Sequence, residues 1–132
     1  MKNYKFLLLL IFTFSITGFA QNKKATSKQL SVNVLIDANK NIYVEKNLTP
    51  IGDIVKSIQK IIRNTPANKY EGVTYRIYAD GSLQHGTIMD INQLLLEAYQ
   101  PINTKIEKYL LDTKANNLDG SNWVKQLNKL DL

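Results

Sequence analysis

The hydrophobic residues of the chain follow two periodicities, and each predicts a different kind of element. Apolar and polar positions alternate through residues 31–36, Ser-Val-Asn-Val-Leu-Ile, and 73–79, Val-Thr-Tyr-Arg-Ile-Tyr-Ala. A two-residue period rich in β-branched and aromatic side chains predicts two β-strands. The pattern resumes after an Asp- and Asn-rich turn at residues 37–41, so the first strand and the segment up to residue 45 form a predicted hairpin.

Two other stretches repeat apolar residues every three to four positions, which predicts helices with one buried face. The first covers residues 50–62 and the second residues 86–99. The two stripes consist of Ile51, Ile54, Val55, Ile58, Ile61 and Ile62, and of Ile88, Ile91, Leu94, Leu95, Ala98 and Tyr99. One-sided helices need a sheet to cover them. We therefore expect an α+β domain at residues 30–100, with a three- to four-stranded sheet and both helices on one face.

The pattern beyond residue 100 predicts a helical C-terminal extension, residues 101–132. Pro101 breaks or kinks the second helix. A third helical segment is expected from the spacing of Ile102, Ile106, Tyr109 and Leu110. A short last helix follows breakers at residues 116–121, and we expect Trp123 to anchor it to the core.

The first twenty residues form a segment of a different kind. Two lysines precede an apolar run at residues 6–16, and small side chains at positions 18 and 20 precede Gln21. This arrangement is typical of a secretory signal peptide, and it predicts cleavage before Gln21 and a periplasmic product. The alternative is an uncleaved anchor in the inner membrane, although the apolar stretch is shorter than the roughly 20 residues of a spanning helix. Residues 21–29 are polar and predict a flexible tether.

Composition restricts the chemistry that the chain can perform. The 132 residues include no cysteine, which excludes disulfides, thiolate metal ligands and cysteine nucleophiles. The net charge of +6 is not gathered into a basic stripe with aromatic platforms, so we expect no nucleic-acid partner, while weak attraction to anionic envelope polymers stays open. Asp80, Ser82 and His85 lack a nucleophile elbow. We expect no catalytic site, no metal site and no cofactor.

The end of the second strand resembles the signature of the ExbD/TolR biopolymer-transport family. The strand ends in Ala79-Asp80, the apolar Leu83 follows three places on, and the pair His85-Gly86 leads into an apolar helix. Residues 31–44 and 50–62 resemble the family's first hairpin and helix, so the likeness covers about residues 30–99. The resemblance implies a non-enzymatic periplasmic protein that serves as an accessory or partner module of energised outer-membrane transport, and it implies dimers.

The motif also has a purely structural interpretation. Asp80 can accept backbone amides across a turn, and Gly86 can let the backbone turn into the helix. A connector of this kind can serve any fold in which a strand is followed by a helix.

Two departures from the family affect what the resemblance implies. Its membrane helix carries an aspartate, whereas residues 6–20 contain no acidic residue, so proton handling does not transfer. Its domain ends in a further strand, for which residues 101–132 offer no replacement by pattern. We therefore expect an open sheet edge that pairs with a second copy, as a weak homodimer, or with an extended peptide. The alternatives are a tail, residues 102–132, that covers this edge, and a small secreted binding or inhibitor module with an unrelated ligand.

Overall fold

The computed structural model describes residues 28–130 as a mixed five-stranded sheet with three helices. In chain order the elements are β1 (Gln29–Ile36), β2 (Ile42–Val44), β3 (Asn47–Leu48), α1 (Ile54–Asn64), β4 (Gly72–Asp80), α2 (His85–Ala98), β5 (Thr104–Leu111) and α3 (Trp123–Leu127). The strand order is β3-β2-β1-β4-β5. β1, β4 and β5 are parallel, and β2 and β3 form an antiparallel hairpin beside β1. The α+β prediction is confirmed, and the strand count of three or four is corrected to five.

The main core lies between the sheet and the two longer helices. Alternate residues of β1 and β4 face α1 and α2, because side chains change face at every position along a strand. Its buried members include Val32, Val34, Ile36, Ile54, Ile58, Tyr75, Ile77, Ile91 and Leu95. Both helices therefore pack against one face of the sheet, as their one-sided apolar stripes require.

The helical prediction for residues 102–110 is wrong, since this segment forms most of β5. β5 pairs in parallel with β4 from Thr104 to Leu111, so the expectation of a missing final strand is also wrong. The error has a physical cause: Ile106, Tyr109 and Leu110 have helical spacing, and residues 104–111 have no clean two-residue period that marks them as a strand. The pairing with β4 decides between the two, because it supplies backbone partners along the whole segment.

A second, smaller apolar cluster lies on the opposite face of the sheet, under the C-terminal residues. Trp123 is fully buried there, which confirms its predicted role as the anchor of the last helix. Its ring packs edge-on against the ring of Tyr78, with 5.7 Å between the ring centroids. The rings of Tyr78 and Tyr109 are stacked, with 5.0 Å between their centroids. Leu118 and Leu127 complete the cover over Leu35 of β1. Within the tail, residues 102–132, the strand β5 therefore covers the edge of β4, and the residues after β5 cover this face of the sheet.

The predicted signal peptide, residues 1–20, and nearly all of the predicted tether lie outside the described residues. Gln29, placed in the tether by sequence, already belongs to β1. Within residues 28–130, no helix has the length and apolar character needed to cross a membrane.

Candidate functional site

The motif aspartate Asp80 ends β4 and is held by hydrogen bonds on both carboxylate oxygens. Oδ1 accepts the backbone N–H and the hydroxyl of Ser82, at 2.9 and 2.5 Å. Oδ2 accepts the backbone N–H and the hydroxyl of Thr113, at 2.9 and 2.6 Å. These donors, Ser82 first and then Thr113, hold the pKa of Asp80 far below its usual range. Asp80 is thus a buried anion, and both of its carboxylate oxygens already accept hydrogen bonds within the fold.

Thr113 connects this carboxylate to the neighbouring strand end. Its hydroxyl oxygen accepts the N–H of Ala38 at 3.3 Å, just after β1. At the same edge Asp37 organises the β1–β2 turn, because its Oδ1 accepts the N–H groups of Asn39 and Asn41 at 2.9 and 2.8 Å. The carboxyl ends of β1, β4 and β5 are therefore tied together by side chains that have satisfied partners, an arrangement suited to stability.

The remaining motif residues do not converge on this carboxylate. Ala79 is buried in the main core, and Leu83 packs against that core while half-buried. His85 and Gly86 are exposed at the start of α2. A Cβ added at Gly86 would meet nothing within 4 Å, and Gly86 is not among the residues with positive φ, so the helix start does not require glycine there.

A cleft of about 420 Å³ lies beside Asp80, and Ser82, Leu111 and Lys114 are among its lining residues. The Asp80 oxygens are already bonded to Ser82 and Thr113, so the cleft presents no free carboxylate from that residue. Among residues 28–130, no three His, Asp or Glu side chains are grouped so that they could hold a metal ion.

The exposed edge of β5 carries backbone N–H and C=O groups that no described strand pairs with. The carbonyls of Asn103 and Leu111 accept the N–H groups of Val73 and Gly81, at 3.1 and 2.9 Å, so odd-numbered residues of this segment turn their backbone groups toward β4. The N–H and C=O groups of successive residues point to opposite sides of a strand. The even-numbered residues, Thr104, Ile106, Lys108 and Leu110, therefore turn their N–H and C=O groups outward, where no other described strand follows β5.

Charged side chains accompany this edge on the face away from the helices. Arg76 Nε donates to Glu107 Oε2 at 2.9 Å, and the Tyr109 hydroxyl donates to the same oxygen at 3.1 Å. The hydrogen bond from Arg76 is the main reason that the pKa of Glu107 lies below its ordinary value. Lys105 precedes this group along β5 and is exposed. The edge therefore carries a positive and a negative side chain two positions apart on one face.

Sequence reasoning missed β5, Thr113 and the hydrogen bond that the indole N–H of Trp123 donates to the backbone carbonyl of Glu45. The β-branched and aromatic residues Thr104, Ile106 and Tyr109 are a signal that could have indicated the strand. Thr113 gave no local signal, because its partner Asp80 lies 33 positions away in the chain.

A scan against models of known protein families and searches of curated proteins and of solved structures find no match to this chain.

Proposed function

We propose that this chain is a non-enzymatic periplasmic protein of the cell envelope that works by pairing the edge of β5 with a strand from a partner. Its role is that of a partner module of energised outer-membrane transport, as the resemblance of residues 30–99 to the ExbD/TolR family implies. The observation that carries the proposal is the eight-residue edge strand β5, whose outward backbone groups no described strand satisfies. Such edges bind extended segments by adding a strand.

The order of elements supports the same proposal. A hairpin, a helix, a strand, a second helix and a final strand follow one another in this chain. The family resemblance implies a final strand after the second helix, and β5 occupies that place. Likeness of fold is weak support for function by itself, so the proposal depends on the edge and on its test.

The charges along β5 favour a second copy of the chain as one partner. In an antiparallel pair with a two-fold axis, side chains directly opposite each other share a face. An axis at Ile106 places Lys105 of each copy opposite Glu107 of the other. An axis at Lys105, Glu107 or Lys108 instead places like charges opposite each other, which is unfavourable.

Charge exchange in the mature chain tests this pairing. Lys105→Glu and Glu107→Lys each weaken self-association about tenfold in sedimentation, because each change acts twice in a symmetric dimer. The double exchange restores it. Lys108→Glu is the matched control, because this side chain lies opposite Thr104 in the proposed pairing. The homodimer is wrong if the two single variants associate as the parent does.

Crosslinking in cells tests the envelope partner. A photoreactive residue at Leu110, which is 65 % exposed on the β5 edge, is expected to capture a second copy or an envelope transport protein. The same group at the exposed Asn128 serves as the control. The proposed function fails if the position at Leu110 captures neither and the purified chain stays monomeric at high concentration.

A further inference from the structure

Three side chains of β5 lie on the face of the sheet that carries the helices, in the order apolar, basic, apolar. Ile106 packs against the main core while half-buried, and Leu110 is 65 % exposed. Lys108 lies between them and is exposed. These residues also turn their N–H and C=O groups outward. An antiparallel strand added at this edge therefore pairs with them directly and sets its own side chains opposite theirs.

Lys108 has no acidic partner in the part of the chain that the structure describes. Its Nζ donates to Met89 Sδ of α2 at 3.4 Å, and a thioether sulfur is a weak acceptor. The one ion pair within residues 28–130 joins Arg76 to Glu107, on the opposite face of the sheet. The ammonium group of Lys108 is therefore exposed beside the open edge without an opposite charge to pair with.

The chain itself does not supply an acid opposite Lys108. With the two-fold axis at Ile106, Thr104 of a second copy lies at this place. Residues 1–27 contain no Asp or Glu. Two residues, 131 and 132, follow the described part, and they are too few to form a strand along β5. An acid at this place therefore comes from another protein.

We propose that Lys108 selects the envelope partner of the β5 edge, an extended segment of another protein in which two apolar residues flank an acidic one at alternate positions. The acid pairs with Lys108, and the apolar residues lie opposite Ile106 and Leu110. This inference rests on the strand addition at β5 in the proposed function, and it adds the chemistry of the segment that is bound.

The charge of Lys108 determines which segment binds, because the backbone pairing does not. Backbone hydrogen bonds form with any extended segment, so they give affinity without distinguishing one segment from another. An acid opposite Lys108 is favourable and a lysine there is unfavourable, whereas the threonine of a second copy is neither. The acid therefore distinguishes a segment of another protein from a second copy at the same edge.

Synthetic peptides test this pattern on the full mature chain. Fluorescence anisotropy measures the binding of Thr-Val-Thr-Glu-Thr-Val-Thr, the Glu peptide, and of Thr-Val-Thr-Lys-Thr-Val-Thr, the Lys peptide. Both are measured on the parent, on Lys108→Glu and on Lys56→Glu, a matched control at an exposed lysine of α1. Hydrogen exchange at the outward amides of Ile106 and Lys108 locates the bound peptide.

The parent is expected to bind the Glu peptide about tenfold more tightly than the Lys peptide. Lys108→Glu is expected to reverse this preference, and Lys56→Glu is expected to keep it. The bound Glu peptide slows exchange at the amides of Ile106 and Lys108, because their N–H groups then donate to the added strand.

The proposal is wrong if neither peptide binds, or if the parent and Lys108→Glu have the same preference. It is also wrong if the bound Glu peptide leaves exchange at Ile106 and Lys108 unchanged. Each of these results leaves the pairing with a second copy to its own test. The proposed function fails as well only when the photoreactive residue at Leu110 captures nothing and the purified chain stays monomeric.

Discussion

Trp123 donates its indole N–H to the backbone carbonyl of Glu45 at 2.5 Å, across 78 positions of the chain. The carbonyl is available because the Glu45 side chain, and not its carbonyl, accepts the N–H of Asn33. One hydrogen bond therefore joins the C-terminal segment to the β2–β3 hairpin at Glu45, a residue whose backbone is left-handed, with φ of 51°.

Trp123→Phe is expected to lower the free energy of unfolding by about 1–3 kcal/mol, because the change keeps an aromatic ring but leaves the Glu45 carbonyl without its donor. Urea unfolding followed by circular dichroism measures the effect. Lys125→Ala, at an exposed position of the same helix, serves as the control and should change stability by no more than about 0.5 kcal/mol. A Trp123→Phe chain as stable as this control would show that the hydrogen bond contributes nothing.

Asp80→Asn is expected to cost about 3 kcal/mol, because an amide has one acceptor oxygen where the carboxylate serves two pairs of donors. Its NH₂ group would face the donors of either Ser82 or Thr113. Asp112→Asn is the matched control, since the carboxylate of Asp112 accepts an exposed hydrogen bond from the N–H of Ala115 at 2.9 Å and does not hold two pairs of donors as Asp80 does. Urea midpoints that shift equally for the two variants would contradict the role assigned to Asp80.

The contribution of Asp80 should depend on pH in a defined direction. Its pKa in the folded chain lies well below the ordinary value of 3.8. A carboxyl with a lowered folded pKa stabilises the fold above its unfolded pKa, and this stability is lost as pH falls toward the folded pKa. The stability difference between the parent and Asp80→Asn should therefore be full above about pH 5 and smaller at pH 3. The free energies of unfolding of both chains are measured at pH 7 and pH 3. A difference between the two chains that is the same at both pH values argues against this linkage.

Gly72 and Gly86 should respond oppositely to alanine. A Cβ at Gly72 would collide with the carbonyl oxygen of Asn103, so Gly72→Ala should cost about 1–3 kcal/mol. Gly86 has open space around it and lies in α2, so Gly86→Ala should stabilise by about 0.5–1 kcal/mol. Thermal unfolding of both variants checks the pair, and a stabilised Gly72→Ala chain would disprove the close approach.

The mature N-terminus is expected at Gln21, because small residues at positions 18 and 20 follow the apolar run of the predicted signal peptide. Mass spectrometry of the protein recovered from the periplasm measures it. Recovery of the intact N-terminus in the membrane fraction would support the anchored alternative instead.

The sequence predicted the elements whose side chains have a uniform environment along each face. Residues 31–36 and 73–79 alternate, and the stripe of Ile54 and Ile58 repeats at helical spacing, so each gives a clean period. β5 gives none, because an edge strand mixes Lys105 and Lys108 with Ile106 and Leu110 on half-exposed faces. The pairing of Asp80 with Thr113 was not predictable either, because it arises only when β4 and β5 end side by side.

β4 has buried side chains on both faces, so two separate clusters determine its register with the neighbouring strands. Tyr75 and Ile77 belong to the core under the helices, while Tyr78 belongs to the cluster under Trp123. A slip by one position would send Arg76 into the helix side and Ile77 to the opposite side, disrupting both clusters at once. Folding intermediates with a shifted register would thus lose the packing of both clusters, which favours a single pairing of the central strand during folding.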